Sequence, residues 1–340
     1  MPISPLSSIT RAAPRLDGEP LNILTFCTHE RYESLLAKTG HNFYAYMQDG
    51  IKTWNTSYAE LPDNYTLLNP DLGSSQIPLG VDFDLVLSQN KFGQFQIAHP
   101  IARQLHLPLI SLEHTLPVPH WPQSHRQALK GMKGHVNIFI SEYSLGEWDW
   151  DDFKNTVIIH HGVDCEKFKP LDNNTRDPHC LSVVNDWINR DWCCGFQIWK
   201  RVSEGFETKV LGDTPGLSEP AGLDELVDAY QTSRIFLNTS TISPIPTSLL
   251  EAMACGCAVV STATCMIPEI IKNGVNGFVT NDENKMREYI ELLLSDEELA
   301  ADMGRKAAET IRLEFSEDKF IENWNSVFHK AANITYKEHI

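Results

Sequence analysis

An α/β fold with parallel sheets is the class this sequence predicts, and three observations carry the prediction. The stretch from Ile235 to Thr280, IFLNTSTISPIPTSLLEAMACGCAVVSTATCMIPEIIKNGVNGFVT, reads as strand, polar loop, helix, strand, short helix, strand. Its strands are short, continuous apolar runs such as Ala258-Val259-Val260, the pattern of strands covered on both faces. The first half repeats this alternation: strands at Leu21–Phe26 and Phe83–Leu87, a helix from Gln94 to Leu105, then a strand from Leu107 to Leu112.

Within the central unit, Ile235-Phe236-Leu237 is a buried strand, and Asn238 to Pro246 is a loop of hydroxyls and prolines. Leu249, Leu250, Met253 and Ala254 recur at helical spacing, and Gly256 stands where a glycine ends a helix. The polar loop thus opens at the carboxyl end of a parallel strand, where open α/β sheets bind ligands. Thr247 and Ser248 begin the helix with free main-chain N–H groups, a natural seat for phosphate oxygens. Glu251, one turn in, can accept hydrogen bonds from a sugar hydroxyl. A simple helix cap is the competing reading of Thr247 and Ser248.

The run from Leu249 to Thr262 (LLEAMACGCAVVST), followed by Pro268-Glu269-Ile270-Ile271 and by Asn273 to Val279 (NGVNGFV), resembles the C-terminal signature of retaining glycosyltransferase family 4. The resemblance, strongest over about residues 155–280, implies the GT-B architecture: two Rossmann-like domains whose parallel sheets face a central cleft. It implies a division into a loose arm at 1–20, an acceptor-side domain at 21–150, a nucleotide-sugar domain at 151–315, and a terminal helix at 316–340. That helix either crosses back onto the first domain or packs on its own. The family has two glutamates with seven residues between them. Glu251 matches the second, which holds the nucleotide ribose, whereas Ser243 stands where the first contacts the donor sugar.

Along the first domain, Cys27 to Glu30 turns into a helix reaching about Lys38, and Asn42 to Tyr46 is the second strand. This turn lacks the glycines common in the resembled family, so Thr28 and His29 line the cleft by side chain, or Thr28 caps the helix. Trp54 to Leu79 is polar, punctuated by prolines and unassigned. His114 follows the strand ending at Leu112, at a place where functional loops emerge. The resemblance implies that it lies beside donor sugar and acceptor, and a structural loop histidine is the alternative. Glu113 either orients His114 or points away. Val118 to Gln123 suggests an acceptor-side loop in which Trp121 stacks on a sugar, and Val136 to Ser141 reads as the last strand of this half.

Val157 to Asp164 resembles the family's entry into the second domain, with His161 in place of an asparagine; the His160-His161 pair has no third ligand near it. After the strand Leu181–Val184, the resemblance calls for cations on the donor diphosphate. Arg190 is the first available, and Lys200 fits poorly. An arginine fork suits paired phosphate oxygens. Trp187 and Trp192 are either core or cleft, with core the default. Gly212-Asp213-Thr214-Pro215 resembles the family's turn near the nucleotide base. Ser295 with Glu298 reads as a capping box, and Ser316 as the cap of a last helix striped by Phe320, Trp324 and Phe328.

A chain of 340 residues accommodates two medium domains, and its net charge of -17 disfavours DNA, RNA or an anionic membrane as a large-surface partner. Arg126, Lys130, Lys133 and His135 either gather into a basic patch or solvate one helix face. Eight cysteines without paired C-x-x-C spacing read as buried thiols of a reducing compartment. With no apolar leader and no run of transmembrane length, the expected location is cytoplasmic, and peripheral membrane contact is not indicated.

The implied reaction moves a sugar from a UDP- or GDP-linked donor to an acceptor hydroxyl on a glycan, lipid-linked or small molecule. No cofactor and no obligatory metal are implied. The implied binding set is Arg190, Gly212, Asp213, Ser243, the amides of Thr247, Ser248 and Leu249, and Glu251. His114, Arg190 and Glu251 act in catalysis. A sugar-nucleotide epimerase and a non-catalytic nucleotide-sugar-binding protein are the alternatives. A NAD dehydrogenase is disfavoured because no G-x-G-x-x-G follows an early strand.

Overall fold

In a computed structural model the chain is described over residues 18–171 and 175–334. Most of the arm expected at 1–20 lies outside the described residues. Two compact units result, Met1–His160 with Phe320–Ile340, and His161–Lys319.

The first unit contains β1 (Asn22–Thr25), α1 (Glu30–Ala37), β2 (Asn42–Ala45), β3 (Tyr65–Leu67), β4 (Leu85–Ser88) and α2 (Phe95–Leu105). It continues with β5 (Leu109–Glu113), α3 (Gln123–Lys130), β6 (Val136–Phe139), α4 (Glu142–Glu147) and β7 (Thr156–Ile158). The seven strands form one parallel sheet in the order β3-β2-β1-β4-β5-β6-β7. Strands β4, β5 and β6 are buried at every position, which is why they read as apolar runs. The strand order reverses between β1 and β4, so the loops after these strands flank a switch point.

Both edge strands depart from the expectation. β3 lies inside the unassigned stretch 54–79, and only one of its three residues is buried. β7 was expected to open the second domain, with Val136–Ser141 closing the first. Instead Asn137 pairs with Thr156 and Phe139 with Ile158. The apolar character of Val157 and Ile158 is the same in either sheet, and only the pairing decides.

The second unit runs through β8 (Asp177–Val183), α5 (Asp191–Cys194), α6 (Phe196–Ser203), β9 (Thr208–Leu211), α7 (Leu223–Thr232) and β10 (Ser233–Asn238). Then come α8 (Thr247–Ala254), β11 (Ala258–Ser261), α9 (Ile267–Ile270), β12 (Phe278–Val279), α10 (Glu283–Ser295) and α11 (Glu297–Glu314). Its five parallel strands are ordered β12-β11-β10-β8-β9. α8 ends as expected. Gly256, at φ 81°, lets its own N–H reach Met253 O at 2.9 Å and the Cys257 N–H reach Ala252 O at 3.0 Å. The capping box expected at Ser295 is shifted by one residue: Ser295 closes α10, and Asp296 caps α11 by accepting from the Leu299 N–H at 2.9 Å. Asp in this role satisfies the same orphan donor as Ser.

The last helix, α12 (Glu317–Ala332), belongs to the first unit from Phe320 onward. Phe320, Trp324 and Phe328 are buried with Ile23, Leu36 and Phe43, and Trp324 Nε1 donates to Tyr32 Oη at 3.2 Å. Burial of each such phenylalanine contributes about 1.5–3 kcal/mol. The basic cluster is neutralised by the acidic linker: Lys130 pairs with Asp149 at 2.6 Å, Lys133 with Asp151 at 2.9 Å, and Arg126 lies 3.9 Å from Glu147.

Candidate functional site

In the second sheet the order reverses between β8 and β10, so the switch point lies beyond Val183 and Asn238. The loops there are knit together by polar groups. Asn185 Oδ1 accepts from the Asp213 N–H at 2.9 Å, and the Asp186 N–H donates to Asp213 O at 2.6 Å, joining the loops after β8 and β9. Cys193 O accepts from the N–H groups of Thr241 and Ile242 at 2.8 and 3.1 Å, joining the loops after β8 and β10. The hydroxyls of Thr262 and Thr264 both donate to Ser240 O, at 2.5 and 2.7 Å, and bring in the loop after β11.

The predicted residues of this unit fall on those loops and on α8. Gly212, at φ 109°, has no room for a side chain, since a Cβ there would lie 2.4 Å from Val184 O. Asp213 beside it is exposed. Arg190 is also exposed, and its Nη1 donates to Asn185 O at 3.4 Å. Arg190 and Asp213 are therefore tied to one asparagine. Ser243 is half-buried on the loop after β10, and Thr247 and Ser248 open α8. The Leu249 N–H is already committed to Pro246 O at 3.1 Å, which leaves Thr247 and Ser248 as the amide pair of interest.

Glu251 is only 6% exposed on a helix whose residues from Leu249 to Ala254 are all buried. A carboxylate is seldom buried without partners. Here the Tyr230 hydroxyl, on α7, donates to its Oε2 at 3.1 Å. Trp187 is core, as expected, with its Nε1 donating to Cys194 O at 2.8 Å. Trp192 is not: it is half exposed.

His114 sits in the first unit, just past β5, half-buried and edge-on to the Tyr32 ring with centroids 4.6 Å apart. Glu113 points inward, and its carboxylate accepts from the Thr115 N–H at 2.9 Å. His29, not Thr28, caps α1, accepting from the Tyr32 N–H at 3.5 Å, while Thr28 Oγ1 accepts from Gln94 Nε2 at 2.6 Å. Glu33 is fully buried and binds the N–H groups of Thr28 and His29, so this glycine-free turn carries its own carboxylate on its amides. Trp121, expected to stack on a sugar, packs against His125, Phe92 and Trp148 at 5.1, 5.5 and 6.2 Å.

Sequence reasoning missed Asn185 and Tyr230. Asn185 carried a signal, a polar residue directly after a strand; Tyr230 lies in the last turn of α7, and its pairing with Glu251 leaves no trace in spacing. A cavity of about 260 Å³ lies elsewhere, at the amino ends of β8 and β10, lined by Arg176, Arg234 and Gly256 among others. There Arg176 donates to Tyr230 O, Ser233 O and Cys255 O and closes the ends of α7 and α8. Among the described residues no cluster of three or more His, Cys, Asp or Glu is placed to hold a metal ion, and no helix is long and apolar enough to cross a membrane.

The family model for glycosyl transferases group 1 matches residues 220–310, from the approach to α7 through most of α11. Among curated proteins, N-acetyl-alpha-D-glucosaminyl L-malate synthase from Bacillus anthracis is 30% identical over 108 residues, 31% of this chain. The chain spans only 28% of that relative's length in the match. Among solved structures, a glycosyltransferase from Rickettsia africae superposes with a TM-score of 0.72 at 16% identity, covering 93% of this chain and 99% of its own. The Anabaena protein HepE in complex with UDP does so with a TM-score of 0.72 at 14% identity, covering 92% and 100%. The chain has the GT-B fold, two Rossmann-like units each built on a parallel sheet. Through its second unit it is related to the group 1 glycosyl transferases.

Proposed function

We propose that the chain is a retaining glycosyltransferase that moves a sugar from a nucleoside diphosphate sugar to an acceptor hydroxyl. The observation that carries this reading is the family match over residues 220–310, which contains the polar loop, α8 and Glu251. In this reading Glu251, oriented by Tyr230, accepts from the donor's ribose hydroxyls. Asp213 and the Gly212 turn flank the base. Arg190 and the amides of Thr247 and Ser248 take up the charge that develops on the departing diphosphate. Ser243 faces the donor sugar with a hydroxyl where the resembled family has a carboxylate.

His114 contacts the sugar and incoming acceptor, where a contact made only in the transition state raises turnover more than affinity. The UDP complex of HepE makes UDP-linked sugars the first donors to test, with GDP-linked sugars next. Eight free thiols favour a reducing compartment, and we assign the protein to the cytoplasm.

Ser243 also motivates a second reading, a nucleotide-sugar-binding protein without turnover. Mass spectrometry of incubations with a panel of UDP- and GDP-sugars and hydroxyl acceptors separates the two. Transfer is expected with one donor, and the product anomer, read by NMR, should match the donor's. Tight binding without transfer favours the second reading. A changed sugar in the absence of any acceptor points to an epimerase.

A further inference from the structure

The buried pair beside His114 has no part in the roles assigned so far. Glu113, the last residue of β5, is 1% exposed. Its Oε1 accepts from both the N–H and the hydroxyl of Thr115, at 2.9 and 2.7 Å, and its Oε2 accepts from the Lys91 N–H at 3.2 Å. The carboxylate therefore reaches over His114 and grips the residue that follows it. From the other side Trp148 Nε1 donates to Thr115 O at 2.8 Å. Before His114, Glu113 itself is held in register against Phe139 of β6. The imidazole thus projects from a peptide pinned at both flanks, and its ring abuts Tyr32, whose hydroxyl is fixed by Trp324.

Lys91 completes the device from the loop after β4. Its ammonium is fully buried and donates to Ser111 Oγ, Met132 O and Asn137 Oδ1 at 2.8, 2.9 and 3.2 Å, with the Trp150 ring centroid 4.7 Å away. Burial pulls Lys91 down to about 7 and pushes Glu113 up, and each opposes the other's shift through their mutual attraction. The two charges do not touch, since Lys91 meets the carboxylate through its main-chain N–H; apolar side chains of similar volume serve packing as well as two buried charges do, so stability alone does not account for them.

We propose that Glu113 is a positioning residue for His114: its carboxylate, balanced by Lys91, fixes the Thr115 peptide and so holds the imidazole where the transferase reading needs it. The inference rests on the role given to His114 above. A group held by packing and hydrogen bonds behind it loses turnover when that support is loosened, even though it never touches substrate itself.

The test uses the full chain labelled with 15N- and 13C-histidine, the His114 ring signal being identified by its loss in His114→Ala. Glu113→Ala is expected to shift and broaden the His114 signal while other histidines stay in place. With UDP-glucose as probe, kcat should fall about tenfold or more with KM within about twofold. Glu113→Gln keeps an acceptor for Thr115 and should recover part of both losses. Thr115→Ala, which removes only the hydroxyl contact and leaves the buried pair intact, should give a smaller shift in the same direction. If Glu113→Ala does not fold, the other two variants decide. An unmoved His114 signal in every folded variant overturns the proposal. A moved signal in a protein whose wild type turns over no nucleotide sugar leaves Glu113 as the support of His114 and removes the transferase reading instead.

Discussion

Glu33 shows at the residue scale how a loop can be built without the glycines usual at its position. Its carboxylate occupies the N–H groups of Thr28 and His29 and accepts from the Tyr65 hydroxyl. Burial lifts this carboxyl from its ordinary 4.5 to about 7, against the hydrogen bonds from Tyr65, His29 and Thr28. A folded pKa above the unfolded one means the native state keeps a proton that the unfolded chain has lost. Its contribution to stability is therefore full below about 4.5 and lost as pH rises through about 7, with roughly 3 kcal/mol at stake across the window.

Urea denaturation at pH 5, 6 and 7 should show the wild type losing ground to Glu33→Gln as pH rises. His41, lowered to about 4 by burial, contributes the opposite slope in both proteins and cancels in the difference. Parallel pH profiles for the two proteins would remove Glu33 from this role. Arg190 makes a second prediction at the same scale. Arg190→Ala should weaken UDP binding about tenfold and leave uridine binding unchanged, because an arginine fork acts on phosphate. Equal losses for UDP and uridine, measured by calorimetry, contradict it.

Among the elements, α8 and its setting matter most. The helix is buried along nearly its whole length, and α11 packs against the turn that ends it, with Gly304 so close that a Cβ would lie 2.0 Å from Gly256 O. Gly304→Ala must push α11 off that carbonyl and should destabilise the chain by about 1–3 kcal/mol, read by urea denaturation. An unchanged midpoint means that the contact relaxes freely.

The interior strands and α8 with its glycine stop were legible because their patterns are local: apolar runs, helical spacing and a residue of positive φ. The edge strand β3 was not, since a half-buried edge lacks a continuous apolar run; β7 was read as a strand but given to the second domain, because its pairing with β6 is not written in its own residues. The same holds within the site. Arg190, Gly212 and Glu251 are candidates that motifs point to, whereas the Tyr230 to Glu251 bond and the Asn185 to Asp213 link are long-range pairings that spacing does not encode. Trp192 departs from the core default because apolar character predicts burial only on average.

For the whole molecule, the GT-B fold provides two switch points, one in each sheet, and the account assigns them different tasks. The first unit holds His114 on its pinned loop. The second gathers Arg190, Asp213, the start of α8 and Glu251 around the carboxyl ends of β8 and β10. A chain of net charge -17 leaves recognition of an anionic ligand to a few such groups and not to a broad basic surface. The most direct test of nucleotide binding there is calorimetric titration of UDP and GDP into the wild type and Glu251→Ala, with a thermal melt of both proteins. The account predicts that one nucleotide binds the wild type and loses at least about tenfold in affinity in a variant that still folds, a cost of about 1.4 kcal/mol or more. Equal affinity in the folded variant, or no binding of either nucleotide to the wild type, would contradict it.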